Sequence, residues 1–179
     1  MILVIGESCL DIFHYGESKR LCPEAPVPVF KSLRTVESGG MAMNVYNNLK
    51  KMNLKADVLT NLNWKNIKKT RFVDENSNHM FIRLDENDDI YYEMDFSSIE
   101  KINFDDYQAI VVSDYNKGFL TEKHLKFISD NHPLTFLDTK KILGTWSHNF
   151  SFIKINSKEF DNTKHTIDEK ILSKLIVTR

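Results

Sequence analysis

The sequence is poor in glycine, proline and cysteine, and each shortage excludes a class of protein. Six glycines and four prolines in 179 residues are too few for a collagen-like or low-complexity chain. Cysteine occurs only at Cys9 and Cys22, without the spacing of a zinc site or of a disulfide framework. The two cysteines fit a reduced, cytoplasmic setting, although a single disulfide between them is left open.

Long apolar runs and an excess of one charge are also absent. No stretch approaches the ~20 apolar residues that a membrane-spanning helix needs, and the apolar residues 1–5 lack the basic lead-in of a signal peptide. The net charge of -1 gives no electrostatic footprint for nucleic acid or for an anionic membrane. The length predicts one domain, since domains usually span about 100–200 residues.

The most informative stretch opens with a pair of glycines, Gly39 and Gly40. Apolar residues then recur at spacings of three and four, which predicts an amphipathic helix over residues 40–52. Glycine permits close approach of another group, and a helix start offers free N–H groups to an oxygen-rich ligand. Asn44, one turn in, carries an amide that both donates to and accepts from hydroxyls. The alternative is a plain loop-to-helix turn.

Short apolar runs alternate with helical patterns along much of the chain. This alternation predicts an α/β fold around a mostly parallel sheet, with right-handed crossovers. The predicted strands are residues 2–6, 56–59, 109–112, 134–137, 150–155 and 175–178, with helices starting near residues 121 and 166.

Two segments depart from that alternation. Residues 18–30 contain three prolines, which favour an extended edge segment. Residues 70–74, 79–84 and 90–94 predict strands separated by turns. We therefore predict a small antiparallel β lid from about residues 12–36 and 70–96 within a single domain of residues 1–179. One apolar face of this lid would cover a site, a partner subunit, or both.

Polar side chains follow several of the predicted parallel strands. In open α/β sheets, ligands bind at the carboxyl ends of the strands. Acidic, basic and amide groups gathered at that edge suit a hydroxylated, phosphorylated ligand and Mg²⁺. A turn aspartate is an equally simple role for Asp11. The residues concerned are Asp11, Asp114, Lys117, Asp138, Lys140, Asn156 and Glu159.

Six short motifs together resemble the ribokinase-like (PfkB) carbohydrate kinases. The proline-rich segment and the Ser-Asp-Tyr-x-Lys-Gly segment are most similar to the heptose-7-phosphate kinase branch, and the likeness extends over nearly the whole chain. The motifs lie at residues 6–11, 22–29, 39–44, 83–85, 113–118 and 156–159.

The resemblance implies a three-layer α/β domain with a small β lid, homodimers formed through that lid, and ATP-dependent, Mg²⁺-assisted phosphorylation of a sugar hydroxyl. Asp11, Gly39, Gly40 and Asn44 would hold the sugar. By the same resemblance, Arg83, Asp114 and Lys117 would contact the sugar or its phosphate. Lys140 would lie near the nucleotide phosphates. Asn156 and Glu159 would serve the Mg²⁺–phosphate region, with Glu159 as the metal ligand.

The chain departs from the family pattern in two places. The connection at residues 60–70 is short, so we expect a helix and a strand to be missing there. The C-terminal part of the fold, with its Gly-Ala-Gly-Asp segment and catalytic aspartate, has no counterpart among the six glycines. Catalytic residues are therefore not assigned. Three hypotheses stay open: a kinase, a non-catalytic sugar-phosphate-binding or dimerisation protein derived from one, and a fragment with no retained site.

Overall fold

Two β sheets contain all ten strands of the computed structural model, which describes residues 1–179. The chain divides into two units, and each sheet lies almost wholly in one of them. The first unit comprises Met1–Ser8, Met41–Leu62 and Tyr91–Arg179, and the second comprises Cys9–Gly40 and Asn63–Ile90.

In chain order the strands are β1 (Ile2–Gly6), β2 (Ser8–Leu21), β3 (Pro28–Met41), β4 (Ala56–Leu59), β5 (Lys68–Asp74), β6 (Met80–Glu86), β7 (Ala109–Asp114), β8 (Thr135–Thr139), β9 (Phe152–Asn156) and β10 (Leu175–Thr178). The helices are α1 (Ala42–Lys51), α2 (Phe96–Glu100), α3 (Glu122–Asn131), α4 (Ser157–Thr163) and α5 (Glu169–Leu172). Short 3₁₀ turns occupy Trp64–Asn66, Phe104–Asp106 and Thr145–Ser147.

The sheet of the first unit has six strands in the order β10-β9-β8-β7-β1-β4. Every neighbouring pair in it is parallel, so the carboxyl ends of all six strands lie along one edge. This confirms the predicted α/β fold with its parallel sheet. The strands predicted at residues 2–6, 56–59 and 175–178 have those same bounds in the structure.

The core of the first unit lies on one face of this sheet. Alternate residues of β1, β7, β8 and β9 point into it, including the fully buried Ile5, Ile110 and Ile153. Helices α2 to α5 cover that face, since each contributes an apolar side chain to the same cluster. Helix α1 packs instead against β1, β4 and β7. The helices therefore form a layer on each side of the sheet.

The sheet of the second unit has the order β3-β2-β5-β6. Strands β5 and β6 are antiparallel, as predicted for the lid, but β2 and β5 run parallel. The prediction of a wholly antiparallel lid is therefore wrong, and the sheet is mixed. Two parallel strands need a long connection between them. Here the connection from β2 to β5 includes β3, α1 and β4, and turn signals in the local sequence do not predict such a pairing.

Three element boundaries differ from the sequence prediction. Gly39 and Gly40 belong to the last residues of β3, which ends at Met41, rather than opening the helix, which begins at Ala42. Residues 90–94 form no strand, because Ile90 ends the second unit and the following residues lead into α2. The last helix begins at Glu169, with the carboxylate of Asp168 rather than the hydroxyl of Thr166 capping it.

No helix in the structure has both the length and the apolar character that crossing a membrane requires.

Helix α3 contains a buried histidine whose charge state should affect stability. His124 is almost fully buried, and its Nδ1 accepts a hydrogen bond from the backbone N–H of Thr121 at 3.1 Å. Its ring lies against Phe96. Burial lowers the pKa of His124 below its usual range, although the nearby carboxylate of Glu93 partly opposes this shift.

We predict that stability is lost on acidification through this residue. The pKa of histidine in the unfolded chain is about 6.5. Above that pH, His124 is neutral in both the folded and the unfolded protein. As the pH falls from there through the lowered folded-state pKa, the unfolded chain binds the proton first, so the free energy of unfolding decreases. Urea denaturation between pH 7.5 and 5 should show this decrease. His124→Gln should reduce the pH dependence, whereas His165→Gln, at an exposed position, should leave it unchanged. An unaltered profile in His124→Gln would contradict the assignment.

Candidate functional site

The edge of the parallel sheet is organised by a buried carboxylate at the end of β1. Glu7 has no exposed surface, and its two oxygens accept hydrogen bonds from the backbone N–H groups of Tyr115 at 2.8 Å and Lys117 at 3.0 Å. Burial and, secondarily, the charge of Asp114 raise the pKa of Glu7 above its usual range. Glu7 therefore fixes the loop that follows β7 against the end of β1.

Asp114, at the end of β7, is equally buried. Its carboxylate accepts a hydrogen bond from the hydroxyl of Thr139 and pairs with Lys141 Nζ at 3.0 and 3.2 Å. The Asn116 N–H also donates to it. All its donors come from the protein, so in this arrangement Asp114 positions the neighbouring loops rather than facing a ligand. The predicted role of Asp114 in substrate binding stays a prediction.

The two lysines predicted for this edge lie on the loops that these carboxylates hold. Lys117 is half-buried, and its backbone is fixed by Glu7. Lys140 is exposed, with its Nζ 4.2 Å from the centre of the Tyr115 ring, and its N–H donates to the carbonyl oxygen of Asp114. The structure therefore brings Asp114, Lys117 and Lys140 together, as the sequence predicts.

Asn156 and Glu159 lie two strands away, at the end of β9, and form a reciprocal cap on α4. The Asn156 side chain accepts from the Glu159 N–H at 2.8 Å, and the Glu159 carboxylate accepts from the Asn156 N–H at 2.7 Å. No group of three or more His, Cys, Asp or Glu side chains in the chain is placed to hold a metal ion. The residues present therefore do not make a preformed magnesium site around Glu159.

The start of α1 is partly closed to ligands by the protein itself. The N–H of Ala42 donates to the carbonyl oxygen of Glu7 at 2.9 Å, and that of Met43 donates to Ser8 Oγ at 3.0 Å. Met41 precedes them with a φ of 60°, a left-handed conformation that is unusual for a side chain of this size. Asn44 follows in the first turn with an exposed side chain, which leaves its amide accessible.

In the second unit, Asp11 is the centre of a compact cluster. Its carboxylate pairs with Arg71 at 2.7 Å. A Cβ at Gly40 would lie 2.4 Å from Asp11 Oδ2 and 2.8 Å from Cys9 Sγ, so only glycine fits there and the predicted close approach is observed. Burial, and secondarily the charge of Asp11, raise the pKa of Cys9 to about 12, which keeps the thiol neutral. Gly39 is buried beside Gly40 in the same strand.

One face of this second sheet carries a cluster of charged side chains. Register places Asp11 opposite Lys69, and Arg71 opposite Arg83, on the same side. Lys69 pairs with Asp88 at 2.7 Å, and Arg83 with Asp85 at 2.8 Å. We call this set the charged lid face; it consists of Asp11, Lys69, Arg71, Arg83, Asp85 and Asp88.

Sequence reasoning missed several of these residues. Lys69 lies just before the strand predicted at residues 70–74 and Arg71 lies within it. Neither is among the predicted site residues, although their alternation with Thr70 and Phe72 is the period-two signal that places them on one face. The roles of Glu7, Thr139 and Lys141 carried no such signal, because their partners lie on another strand of the parallel sheet or on the loop that follows it and are distant in sequence.

Comparison with known proteins gives two groups of relatives, whereas no family model matches the sequence. The chain is 33% identical over 150 residues to the bifunctional protein HldE of Campylobacter jejuni (strain RM1221), a match covering 71% of this chain and 32% of that protein. It is 30% identical over 202 residues to HldE of Helicobacter pylori (strain HPAG1), covering 92% and 42%. The chain thus spans less than half the length of these relatives.

Solved structures of carbohydrate kinases share the fold. A carbohydrate kinase from Agrobacterium tumefaciens superimposes with a TM-score of 0.59 at 12% identity, over 99% of this chain and 69% of that one. Arabidopsis thaliana ribokinase, complexed with ribose and ATP, gives 0.58 at 9% identity, over 98% and 70%.

The fold is therefore that of the ribokinase-like (PfkB) carbohydrate kinases, as the motifs predict. Within that class, the sequence is similar to the bifunctional HldE proteins, which confirms the predicted resemblance to the heptose-7-phosphate kinase branch.

We predict that breaking the buried Asp114–Lys141 pair at the sheet edge strongly destabilises the protein. Lys141→Met leaves the Asp114 carboxylate buried and without its cation, which should lower the free energy of unfolding by about 3–5 kcal/mol. Urea denaturation followed by circular dichroism measures the change.

Lys154→Met is the matched control, because Lys154 also pairs with a strand-end aspartate, Asp138, but both side chains are nearly half exposed. A pair in that setting contributes about 1 kcal/mol or less. Equal losses in the two variants would contradict a special role for the Asp114–Lys141 pair.

Proposed function

We propose that the chain binds a phosphorylated sugar of the heptose 7-phosphate type and takes part in transferring the γ-phosphoryl group of ATP to one of its hydroxyls. The similarity to the HldE proteins carries this proposal. The ribokinase-like fold, shared with an enzyme solved in complex with ribose and ATP, supports it.

The charged lid face supplies the chemistry for such a ligand. The Asp11 carboxylate accepts hydrogen bonds from sugar hydroxyls, while Arg71 provides the planar, permanently charged donor set that phosphate prefers. Lys69, with a largely buried side chain, adds a second cation. Gly40 keeps the backbone beside Asp11 free of a side chain. Arg83 is half-exposed and forms two hydrogen bonds with Asp85, so its proposed contact with the sugar or its phosphate requires exchange of that partner.

In the first unit, Asn44 and Lys117 are proposed as further substrate contacts. The amide of Asn44 is exposed at the start of α1, and the loop carrying Lys117 is fixed by Glu7. Asp114 would act through that loop, since its own oxygens are taken by Thr139 and Lys141.

The phosphoryl transfer itself needs a base that these residues do not supply. The new bond joins the sugar oxygen to the γ-phosphorus, the bond between that phosphorus and the bridging oxygen of ADP breaks, and the hydroxyl proton must be accepted. Asp114 is buried and paired with Lys141. Asp138 is paired with Lys154. Neither is available as a free base in this arrangement, so we assign no catalytic residue.

ATP is proposed as the phosphoryl donor, with Lys140 as the exposed cation toward its phosphates. Mg²⁺ would accompany the nucleotide, because the protein carries no carboxylate cluster for it and Glu159 is committed to the helix cap. We derive no step through the metal. Free Cys9 and Cys22 agree with a proposed cytoplasmic location.

A non-catalytic sugar-phosphate-binding protein is the second candidate. The observation in its favour is that Asp114 and Asp138 are both held in ion pairs. The chain then has groups that can bind a sugar phosphate but no free carboxylate to act as the base. Binding and turnover measurements separate the two.

We predict that D-glycero-β-D-manno-heptose 7-phosphate raises the melting temperature of the protein. Asp11→Ala and Asn44→Ala should each weaken binding by about 1–3 kcal/mol, the cost of an unpaired polar group, and Arg71→Ala should weaken it similarly. Two variants serve as controls, and neither residue is among the proposed contacts. Asn48→Ala lies on α1 with Asn44, and Arg34→Ala lies on β3 in the second unit, which also contains Asp11 and Arg71. Titration calorimetry measures affinity, and ADP release measures turnover.

The combined outcomes decide between the hypotheses. Product formation supports a kinase, and binding without product supports the non-catalytic alternative. Failure of the sugar phosphate to bind would overturn both and leave only a fragment without a retained site.

A homodimer through the lid is proposed from the other face of the second sheet. There His14, Phe30, Phe72 and Phe81 form a chain of ring contacts, beside a groove of about 380 Å³ that Ile82 also lines. Ile82 is 59% exposed, and an apolar surface of this kind favours association.

We predict a dimer in sedimentation velocity at micromolar concentration, and dissociation by Ile82→Asp because a charge would be buried in the interface. Leu62→Asp, at a fully exposed position of the first unit, should leave the dimer intact. A monomer in the unmodified protein would contradict the lid interface.

A further inference from the structure

Three arginines of the second unit differ in how their guanidinium donors are used. In arginine, Nε and Nη2 lie along one edge of the guanidinium group and form the fork that binds a phosphate or carboxylate through two parallel hydrogen bonds. In Arg83 this fork is occupied, because Nε and Nη2 donate to the two oxygens of Asp85 at 2.8 and 3.0 Å. Arg34 directs its Nε at both oxygens of Glu75, at 3.1 Å each.

Arg71 differs from these two because its fork is not used by the protein. Both of its hydrogen bonds leave from Nη1, which donates to Asp11 Oδ1 at 2.7 Å and to the carbonyl oxygen of Lys69 at 3.3 Å. The side chain is 21% exposed, so it is held within the sheet surface and still reaches solvent. Nε and Nη2 therefore keep their N–H donors for a ligand.

The ring of Phe13 supports the same guanidinium from a second direction. Phe13 lies directly opposite Arg71 in the register of β2 and β5, and Arg71 Cζ lies 4.9 Å from the centre of the ring. A guanidinium over the face of an aromatic ring is attracted by the negative charge of that face. Because Asp11 holds Nη1 and the ring supports the plane, the direction of the fork is set before a ligand binds. Such preorganisation raises affinity by reducing the ordering that binding requires.

Tyr15 provides a comparison on the same face of the sheet. Its ring stacks with that of Phe13, with 6.1 Å between the centres and 16° between the planes. The Cζ of Arg34 lies 3.8 Å from the centre of the Tyr15 ring, but Arg34 is bonded to Glu75. The two rings therefore have similar surroundings, and only Phe13 supports an arginine whose fork is not used by the protein.

We propose that Phe13 is a positioning residue, whose ring orients Arg71 so that Nε and Nη2 bind the phosphate group of the sugar phosphate. This inference rests on the proposed function and adds to it the residue that anchors the phosphate and the apolar side chain that directs this anchor. Arg83 would first have to release Asp85, whereas Arg71 can bind a phosphate and keep Asp11.

Titration calorimetry with D-glycero-β-D-manno-heptose 7-phosphate measures the effect of the ring. Phe13→Leu keeps an apolar side chain but removes the aromatic face, and we expect it to weaken binding about threefold to tenfold. Phe13→Tyr retains that face and should bind like the unmodified protein. Tyr15→Leu is the matched control, and its affinity should be unchanged. Urea denaturation checks that each variant is folded at the temperature of the titration.

A double-mutant cycle tests whether Phe13 acts through Arg71. Adding Phe13→Leu to Arg71→Ala should cause no further loss of affinity, because the guanidinium that the ring orients is already absent. A packing defect, or direct contact of the ring with the sugar, would instead lower the affinity by the same factor in both backgrounds.

The contact between the ring and the guanidinium can also be observed without a ligand. A proton above an aromatic ring resonates upfield of its usual position. In a nitrogen–proton correlation spectrum, the Arg71 Nε–H signal, assigned by its loss in Arg71→Ala, should therefore move downfield in Phe13→Leu. It should stay in place in Tyr15→Leu.

Four results would overturn the proposal. An unchanged affinity in Phe13→Leu, when Arg71→Ala weakens binding, would reject the positioning role and leave the proposed function standing. An equal loss in both backgrounds of the cycle, or an unmoved Nε–H signal in Phe13→Leu, would show that the ring does not act through Arg71. An absence of sugar-phosphate binding in the unmodified protein would overturn the proposed function and the positioning role together.

Discussion

The buried carboxylates at the edge of the parallel sheet are the constraint on which the candidate site depends. Glu7 and Asp114 end adjacent strands and are almost completely removed from water. A buried carboxylate is costly unless it is bonded to donors. Here the donors are the backbone of residues 115–117, Thr139 and Lys141. Satisfying the carboxylates therefore fixes the loops after β7 and β8, which carry Lys117 and Lys140.

The second unit uses a similar principle with more exposed charges. Asp11 is held by Arg71, and Lys69 and Arg83 are paired with nearby aspartates. Because these side chains keep some contact with water, exchanging a protein partner for a ligand oxygen costs less here than at Asp114. This difference supports the proposed ligand contact at the charged lid face, whereas the buried carboxylates at the sheet edge of the first unit are already bonded within the protein.

The helices cover the two faces of the six-stranded sheet unequally. One helical layer of the first unit is continuous, whereas the other stops at α1 and leaves aromatic side chains of β8 and β9 exposed. The strand-end aspartates Asp114 and Asp138 are both engaged in ion pairs.

The sequence by itself determined the alternating α/β pattern, because a strand buried on both faces reads as a short apolar run and an amphipathic helix repeats every three or four residues. The sequence also predicted that another group lies close to the backbone at Gly40, because glycine has no Cβ to exclude that group. Tertiary structure alone decided that β2 runs parallel to β5 and that Gly39 and Gly40 lie within a strand. It alone decided that Lys141 pairs with Asp114 and Arg71 with Asp11. The residues of these two ion pairs are 27 and 60 positions apart in the sequence, and local periodicity contains no information about a partner at that distance.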